Sequence, residues 1–515
     1  MYITQDANHV VLPYRTDLAT AIPHARAFDY DGQHLLLVPN DRDVAKLARN
    51  LGIAMPSPIL TRFDWCDLNP WTIQRSTATL LTESPRAYVL SSLGTGKTLA
   101  SIFATEYLRE IGEVKRALVI APLSVLTPVW EKELFLARPR ANVKVLYGTK
   151  QKRLSLLAEE ADWYVVNHHG LPILLDQLIE RKFDLVIIDE LATFRTIKTG
   201  LWQSANRLVR SGPKYVWGMT GSPRPKAPTD AWAQIRLLTP DKTYRTFSRF
   251  RQETMVQLSQ FRWGEKQGAN ETVFSQMQPS VRYTLEDVAE LPPTVYLNRE
   301  IKLEPEADKA YTLMFNRLRM MSEKGEITAA NEGVLQNKLL QVACGFLYTD
   351  NKQVYTLPNK TRLEALRDIC TEADKKVIVF VPYVHALQGV RDYLMKQGET
   401  VDLVYGATSK TKRDDIFARF QNSPVPHVLV AHPQCMAHGL SLTSANTIVW
   451  FTATNNPEIY EQANGRIRRP GQTHKTLIYH LTGTPVERVA YMRLKNRGRL
   501  QGLLLELFRD QELDY

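Results

Sequence analysis

The chain has 515 residues, which at roughly 100–200 residues per domain predicts about three or four domains. Hydrophobic residues make up 44% and charged residues 23%, so sizeable cores can be buried and a disordered chain is excluded. Basic side chains outnumber acidic ones to give a formal net charge of +11, a balance that suits a polyanionic partner without requiring one.

Taken in chain order, the N-terminal stretch MYITQDANHVVLPYRTD has neither the basic region nor the apolar core of a signal peptide. Residues 1–65 read as a small α+β module. HVVLPY and QHLLLVP alternate like strands, and DRDVAKLARNLGI reads as a helix capped near its start and closed by Gly52. PSPILTRFDWCDLNP, with three prolines, reads as a linker. From 66 to 302 short apolar runs alternate with helical segments: RAYVLSS, RALVIAP, VKVLYG, DWYVVN, FDLVIIDE and YVWGMTG. That rhythm predicts βαβ units around a buried parallel sheet, with a helical insertion at about 231–290. A helical insertion is expected over 303–354, with LPPTVYLNREIKL as a strand just before it. The α/β rhythm returns over 355–495 in KKVIVFVP, VDLVYG, HVLVAH, NTIVWF and TLIYHL, and 496–515 reads as a C-terminal helix. The expected fold is therefore α/β, two lobes of parallel sheet flanked by helices with helical insertions and a small N-terminal domain. The four cysteines (Cys66, Cys344, Cys370, Cys435) lack CxxC spacing, which argues against a zinc site or a disulfide framework and for a reducing cytoplasm. No uninterrupted apolar run reaches about 18 residues, so no membrane span is expected.

The residues that carry chemistry begin after the strand RAYVL, at Ser91-Ser92-Leu93-Gly94-Thr95-Gly96-Lys97-Thr98. A phosphate-binding loop needs glycines where a Cβ would block the backbone, a lysine for the β/γ-phosphates and a hydroxyl for Mg²⁺, all at a helix N-terminus. GTGKT before LASIFATEYL meets that description, although Ser91 stands where a first glycine is usual. Leu93, Gly94, Thr95, Gly96, Lys97 and Thr98 are the candidate ATP-binding residues. FDLVIIDE places Asp189 and Glu190 at the end of an apolar strand, where such enzymes hold Mg²⁺ with one carboxylate and polarise the attacking water with a second. Thr98 and Asp189 are thus the candidate Mg²⁺ ligands. His168 and His169 are adjacent on a strand and point to opposite faces, so a backbone contact or plain packing is expected rather than a shared metal. The basic run Arg493, Lys495, Arg497, Arg499 reads as a solvated surface, and none of the nine tryptophans is assigned to base stacking.

In this order the motifs resemble superfamily 2 helicases, and within them the Swi/Snf-type double-stranded DNA translocases, over about 66–495. Pro70-Trp71-Thr72-Ile73-Gln74 resembles the adenine-reading segment, with Gln74 as the reader. VIAPLSVLTPVWEKEL (119–134) is similar to the element lying on the nucleic-acid backbone, which implies DNA contacts at Pro122, Leu123 and Ser124. Thr220-Gly221-Ser222-Pro223 resembles the element coupling hydrolysis to movement, and RYTLEDVAELPPTV (282–295) the return segment into lobe one. In the second lobe, Gly406-Ala407-Thr408-Ser409 with KRDDIFARF resembles the backbone-gripping element, and HGLSLTSAN (438–446) the next motif. DNA contacts are implied at Gly406, Thr408, Ser409 and Gly439. QANGRIRRPGQ (462–472) fits the family's QAxxRxxRxGQ, which implies catalytic Gln462, Arg466 and Arg469 beside Lys97, Asp189 and Glu190. Arg466 and Arg469, three apart, would share one helix face, and a guanidinium suits the charge developing on a transferred phosphoryl group.

Three departures stand out. The DEAH-like box reads Asp189-Glu190-Leu191-Ala192, without its histidine. The DPDWNP segment reads Thr452-Ala453-Thr454-Asn455-Asn456-Pro457, and Ser91 replaces the first glycine. Residues 1–65 resemble the HARP-type modules found beside annealing helicases, which implies a role in recognising the DNA substrate. The layout is similar to that of phage-encoded members. The resemblance implies an ATP- and Mg²⁺-dependent translocase on duplex or forked DNA in replication, repair or recombination. A monomer is expected, since both halves of the ATP site lie in one chain. The alternatives are a single-strand DNA or RNA helicase, and a nucleic-acid-binding scaffold with little catalysis.

Overall fold

A computed structural model gives the fold, and it describes residues 2–4, 6–224, 227–258, 263–285, 287, 291–323, 329–348, 354–436 and 441–495. The chain forms two compact units, Met1–Val288 and Ala289–Tyr515.

In the first unit a seven-stranded sheet runs in the order Ser280–Val281, Arg86–Val89, Tyr215–Met219, Leu185–Asp189, Ala117–Ala121, Trp163–Asn167, Val143–Leu146, and every pairing is parallel. Helices cover both faces, so the central strands are apolar along their whole length instead of alternating. Ala117–Ala121, Trp163–Asn167 and Tyr215–Met219 are buried at every residue. All six strands expected from apolar runs in this lobe are present. The insertion mixes helices at Asp230–Leu238, Phe247–Thr254 and Ala269–Gln276 with a small hairpin pairing Met255–Gln257 and Trp263–Glu265.

The N-terminal module is a four-stranded antiparallel sheet, in the order Tyr2–Ile3, His9–Pro13, Gln33–Pro39, Arg26–Tyr30. Val10, Leu12, Leu36 and Val38 on one face pack against Val44, Ala45 and Ala48 of the helix Arg42–Asn50. Asp41 caps that helix by accepting from the Val44 N–H at 2.8 Å. The module docks on lobe one through polar contacts. Arg42 donates to the Thr82 carbonyl at 2.7 Å and the Tyr215 hydroxyl at 2.8 Å, and Arg49 pairs with Glu83 at 2.6 Å.

The segment expected as a linker is instead a packed strap. It forms a helical turn at Ile59–Arg62, with Ile59 fully buried and Phe63 edge-on to Phe103 and Tyr107 at 6.0 Å. Its prolines mask the apolar spacing that anchors it.

The second unit holds a six-stranded, all-parallel sheet, in the order Thr294–Glu300, Thr476–Thr482, Ala445–Trp450, Lys376–Phe380, Val428–Ala431, Val401–Val404. The lobe-one boundary expected at 302 is therefore displaced. Strand 294–300 pairs in register with 476–482, and the last strand added to the first sheet is Ser280–Val281. Helices Pro305–Glu323 and Ala329–Ala343 follow, then a two-stranded ribbon pairing Phe346–Tyr348 with Val354–Thr356. The expected C-terminal helix at 496–515 lies outside the described residues. Among the described residues no helix is long and apolar enough to cross a membrane, and no cluster of three or more His, Cys, Asp or Glu side chains could hold a metal ion.

Candidate nucleotide site

The site in the first unit lies at the carboxyl ends of the parallel strands, where loops and helix N-termini converge. Strand Arg86–Val89 leads into the loop, and helix Lys97–Glu110 starts at Gly96. Gly94 (φ +82°) and Gly96 (φ +73°) adopt left-handed backbone that other residues rarely tolerate. A Cβ on Gly96 would also lie 2.1 Å from the Gln74 amide nitrogen. The Lys97 ammonium donates to the Ser91 and Ser92 carbonyls at 2.7 and 2.8 Å, and Thr95 Oγ1 donates to the Ser92 carbonyl at 2.9 Å. Ser91 needs no glycine-like backbone, since it is absent from the positive-φ residues. Its hydroxyl accepts the Tyr283 N–H at 3.0 Å, and the Tyr283 carbonyl accepts the Ser92 N–H at 2.8 Å. The segment after Val281 is thereby stapled to the loop.

Gln74 sits on the first turn of helix Thr72–Glu83, buried, with its carboxamide oxygen accepting the Trp71 N–H at 2.8 Å. Beside it opens a cleft of about 390 Å³ lined by Pro70, Trp71, Thr72, Ile73, Arg75 and Asp287, among others. Gln74 Nε2 points to the loop, 3.5 Å from the Gly96 carbonyl, and Gln74 does not line that cleft.

Asp189 ends its strand, and Glu190 follows in left-handed backbone (φ 54°, ψ 55°). A non-glycine residue in that region costs on the order of 1–3 kcal/mol and persists where its surroundings hold it. Asp189 is held at three points. Its Oδ1 accepts the Glu190 N–H at 2.9 Å, its Oδ2 accepts the Trp130 indole N–H at 3.0 Å, and its backbone carbonyl faces His168 Nε2 at 2.8 Å. A carbonyl only accepts, so Nε2 of His168 carries the proton. Burial pushes the His168 imidazole down to about 4, which keeps it neutral. The backbone contact expected for this histidine is present, although His168 and His169 lie in the turn His168–Gly170 that follows the strand and not on the strand itself. Burial raises the Asp189 carboxyl above its ordinary value, while the Trp130 N–H and the Lys97 charge pull it back.

Thr220 Oγ1 donates to Glu190 Oε1 at 3.2 Å, and Gly221 packs on the loop backbone, where a Cβ would lie 3.6 Å from the Ser91 carbonyl. Ser222 N–H donates to Thr220 Oγ1 at 3.3 Å. The Thr220–Ser222 element therefore bridges the phosphate loop and the second carboxylate. Ala192, where the family has histidine, is buried in the following turn. The direct Thr220–Glu190 bond supplies a link without that ring.

The residues expected on DNA fall in both units. Pro122 leads into the turn Leu123–Val125, where Leu123 is exposed and the Ser124 hydroxyl is enclosed without a hydrogen-bond partner. In the second unit Gly406 and Ser409 are exposed, Thr408 Oγ1 accepts the Tyr405 N–H at 3.1 Å, and Ser409 caps helix Lys410–Asn422. Gly439 lies outside the described residues.

The arginines depart from their expected placement. Helix Pro457–Asn464 stops before both of them, since Gly465 and Pro470 flank a turn in which Pro470 also restricts the backbone of Arg469. Arg466 is fully buried. Arg469 is half-buried and donates from Nε to the Gly465 carbonyl at 3.0 Å. Gln462 Nε2 reaches Glu458 Oε1 at 3.5 Å. Reading by residue type missed Trp130, whose partner is 59 positions away.

The chain matches the SNF2-related domain over residues 89–354 and the helicase conserved C-terminal domain over 361–471. It is 27% identical over 458 residues to protein p41 of Acyrthosiphon pisum secondary endosymbiont phage 1, covering 83% of this chain and 96% of that protein. It is 23% identical to an uncharacterized ATP-dependent helicase of Mycoplasma pneumoniae, covering 80% of this chain. It is 24% identical to the SWI/SNF-related matrix-associated actin-dependent regulator of chromatin subfamily A-like protein 1 of Xenopus tropicalis, covering 77% of this chain. The chain spans nearly all of the phage protein but 40% of each of the other two. With a phosphate loop, a strand-end carboxylate pair and a bridging threonine in one lobe, and the SNF2-related match running through most of that lobe, the chain belongs to the SNF2-related family of superfamily 2 ATP-dependent helicases.

Proposed function

We propose that this protein is an ATP- and Mg²⁺-dependent translocase on duplex or forked DNA, working in replication, repair or recombination in a bacterial or phage-infected cytoplasm. The contact from Thr220 to Glu190, with Gly221 against the phosphate loop, carries the reading, because it ties the second strand-end carboxylate and the phosphate loop to the segment that resembles the family's coupling element.

The residues present fit the nucleotide and its cation. A Cβ on Gly96 would strike the Gln74 side chain that packs on the loop, Lys97 lies within the loop, and an acceptor-only carboxylate ends strand Leu185–Asp189, one strand removed from the loop's own. Thr98 and Asp189 would hold Mg²⁺, which would neutralise charge on the phosphates when bound. Lys97 would give up its loop carbonyls for the β/γ-phosphates, and Glu190 would orient and polarise the attacking water. Arg469 and Arg466 would stabilise the charge developing on the transferred phosphoryl group. The DNA contacts assigned to Pro122–Ser124, Gly406, Thr408, Ser409 and Gly439 address phosphates, so little sequence preference is expected. The N-terminal module would recognise the DNA structure.

Steady-state ATP hydrolysis is measured alone and with single-stranded, duplex and forked DNA and RNA. Strong stimulation by duplex or forked DNA is expected, falling steeply between 50 and 200 mM salt as about 0.9 counterions are released per phosphate contact. Stimulation by RNA or single strands alone would replace the reading with a strand-separating helicase. Turnover with none of them would replace it with a scaffold.

A further inference from the structure

We propose that Trp130 is a positioning residue for the metal-binding carboxylate, its indole N–H fixing Asp189 in the orientation that takes up the divalent cation. The inference rests on the reading of Asp189 as a cation ligand. Trp130 is fully buried in the apolar core of lobe one, and its Nε1 donates to Asp189 Oδ2 at 3.0 Å while the Glu190 N–H holds Oδ1 at 2.9 Å. An indole can only donate, so the ring has one polar function here, and packing leaves it no other orientation. With one donor on each oxygen the carboxylate cannot turn about its Cβ–Cγ bond, and each oxygen keeps a lone pair for a cation.

The backbone is adapted to this contact. Trp130 lies in a π-helical turn, Leu126–Glu131, between the turn Leu123–Val125 and helix Lys132–Ala137. Such wide turns are rare and concentrate at functional sites. The turn follows directly on Pro122–Ser124, so a shift of that segment would reach Asp189 through one rigid ring.

The test is a Mg²⁺ titration of N-methylanthraniloyl-ADP binding to the full chain, read by fluorescence. Outer-shell partners of metal ligands are worth about 10–100-fold in metal affinity. Trp130→Phe is therefore expected to raise the half-saturating Mg²⁺ concentration about tenfold or more, with binding in excess chelator unchanged. Trp163→Phe is the control. It removes an equivalent buried indole bond, to Glu106 Oε1 at 2.8 Å in the same core, and is expected to leave the Mg²⁺ titration at its wild-type position. Where Trp130→Phe fails to fold, benzothienylalanine at position 130, which keeps the ring shape without the N–H, decides the matter. Trp130 variants that titrate like wild type overturn the proposal if Asp189→Asn weakens Mg²⁺-dependent binding. If Asp189→Asn also titrates like wild type, the assignment of Asp189 itself is wrong.

Discussion

Glu190→Gln is expected to cut ATP turnover by about 10²–10⁴-fold while nucleotide binding survives, the span usual for loss of a positioned general base. The amide keeps the shape of the side chain and still accepts from Thr220 Oγ1, so the loop, the strand end and the left-handed backbone at 190 are retained. What disappears is the charge that polarises water. Lys97→Ala should instead weaken binding as well, since the ammonium is the one cationic group donating into the loop carbonyls among the described contacts. Hydrolysis rates measured beside N-methylanthraniloyl-ADP affinity separate the two. Unimpaired turnover in Glu190→Gln would remove the catalytic assignment.

The second large effect lies in the core of the other unit. Arg362 and Glu487 form a fully enclosed ion pair, with Nη1 to Oε1 at 3.0 Å and Nη2 to Oε2 at 2.9 Å. Burial works against the guanidinium charge, and the Glu487 carboxylate more than offsets it, so Arg362 stays charged. The arginine also donates to the Phe451 carbonyl. Thr452 Oγ1, at 2.8 Å, and Thr484 Oγ1 and the Gly483 N–H complete the shell around Glu487. Removing one partner strands a buried charge, so Arg362→Met is expected to cost about 3–5 kcal/mol and to lower the unfolding transition of the second unit. Arg362→Met with Glu487→Leu should recover much of that loss. The same network accounts for Thr452 where the family has aspartate. A second carboxylate there would face Glu487, whereas a hydroxyl donates to it. Thr452→Asp should destabilise, and Glu487→Gln in the same chain should relieve it; urea unfolding followed by circular dichroism reads both. A Thr452→Asp protein as stable as wild type would refute this account.

The parallel strands were legible because strands covered on both faces need unbroken apolar runs, as in ALVIA and LVIID. The phosphate loop was legible because its glycines and lysine are contiguous. Strand 294–300 was visible as a strand but not in its partner, 476–482, which lies almost two hundred residues along the chain. The strap at 59–68 was hidden by prolines, and the helix expected under Arg466 and Arg469 was stopped by Gly465 and Pro470. Trp130, Thr220 and Glu487 act through contacts 30 to 125 residues away, which local spacing does not encode.

The central claim is tested most directly by displacement of a triplex-forming third strand from linear duplex DNA, since it reads movement itself and needs no strand separation. The account predicts ATP-dependent displacement by the wild-type chain and none by Glu190→Gln. A third strand left in place by a protein that hydrolyses ATP on the same duplex would contradict it.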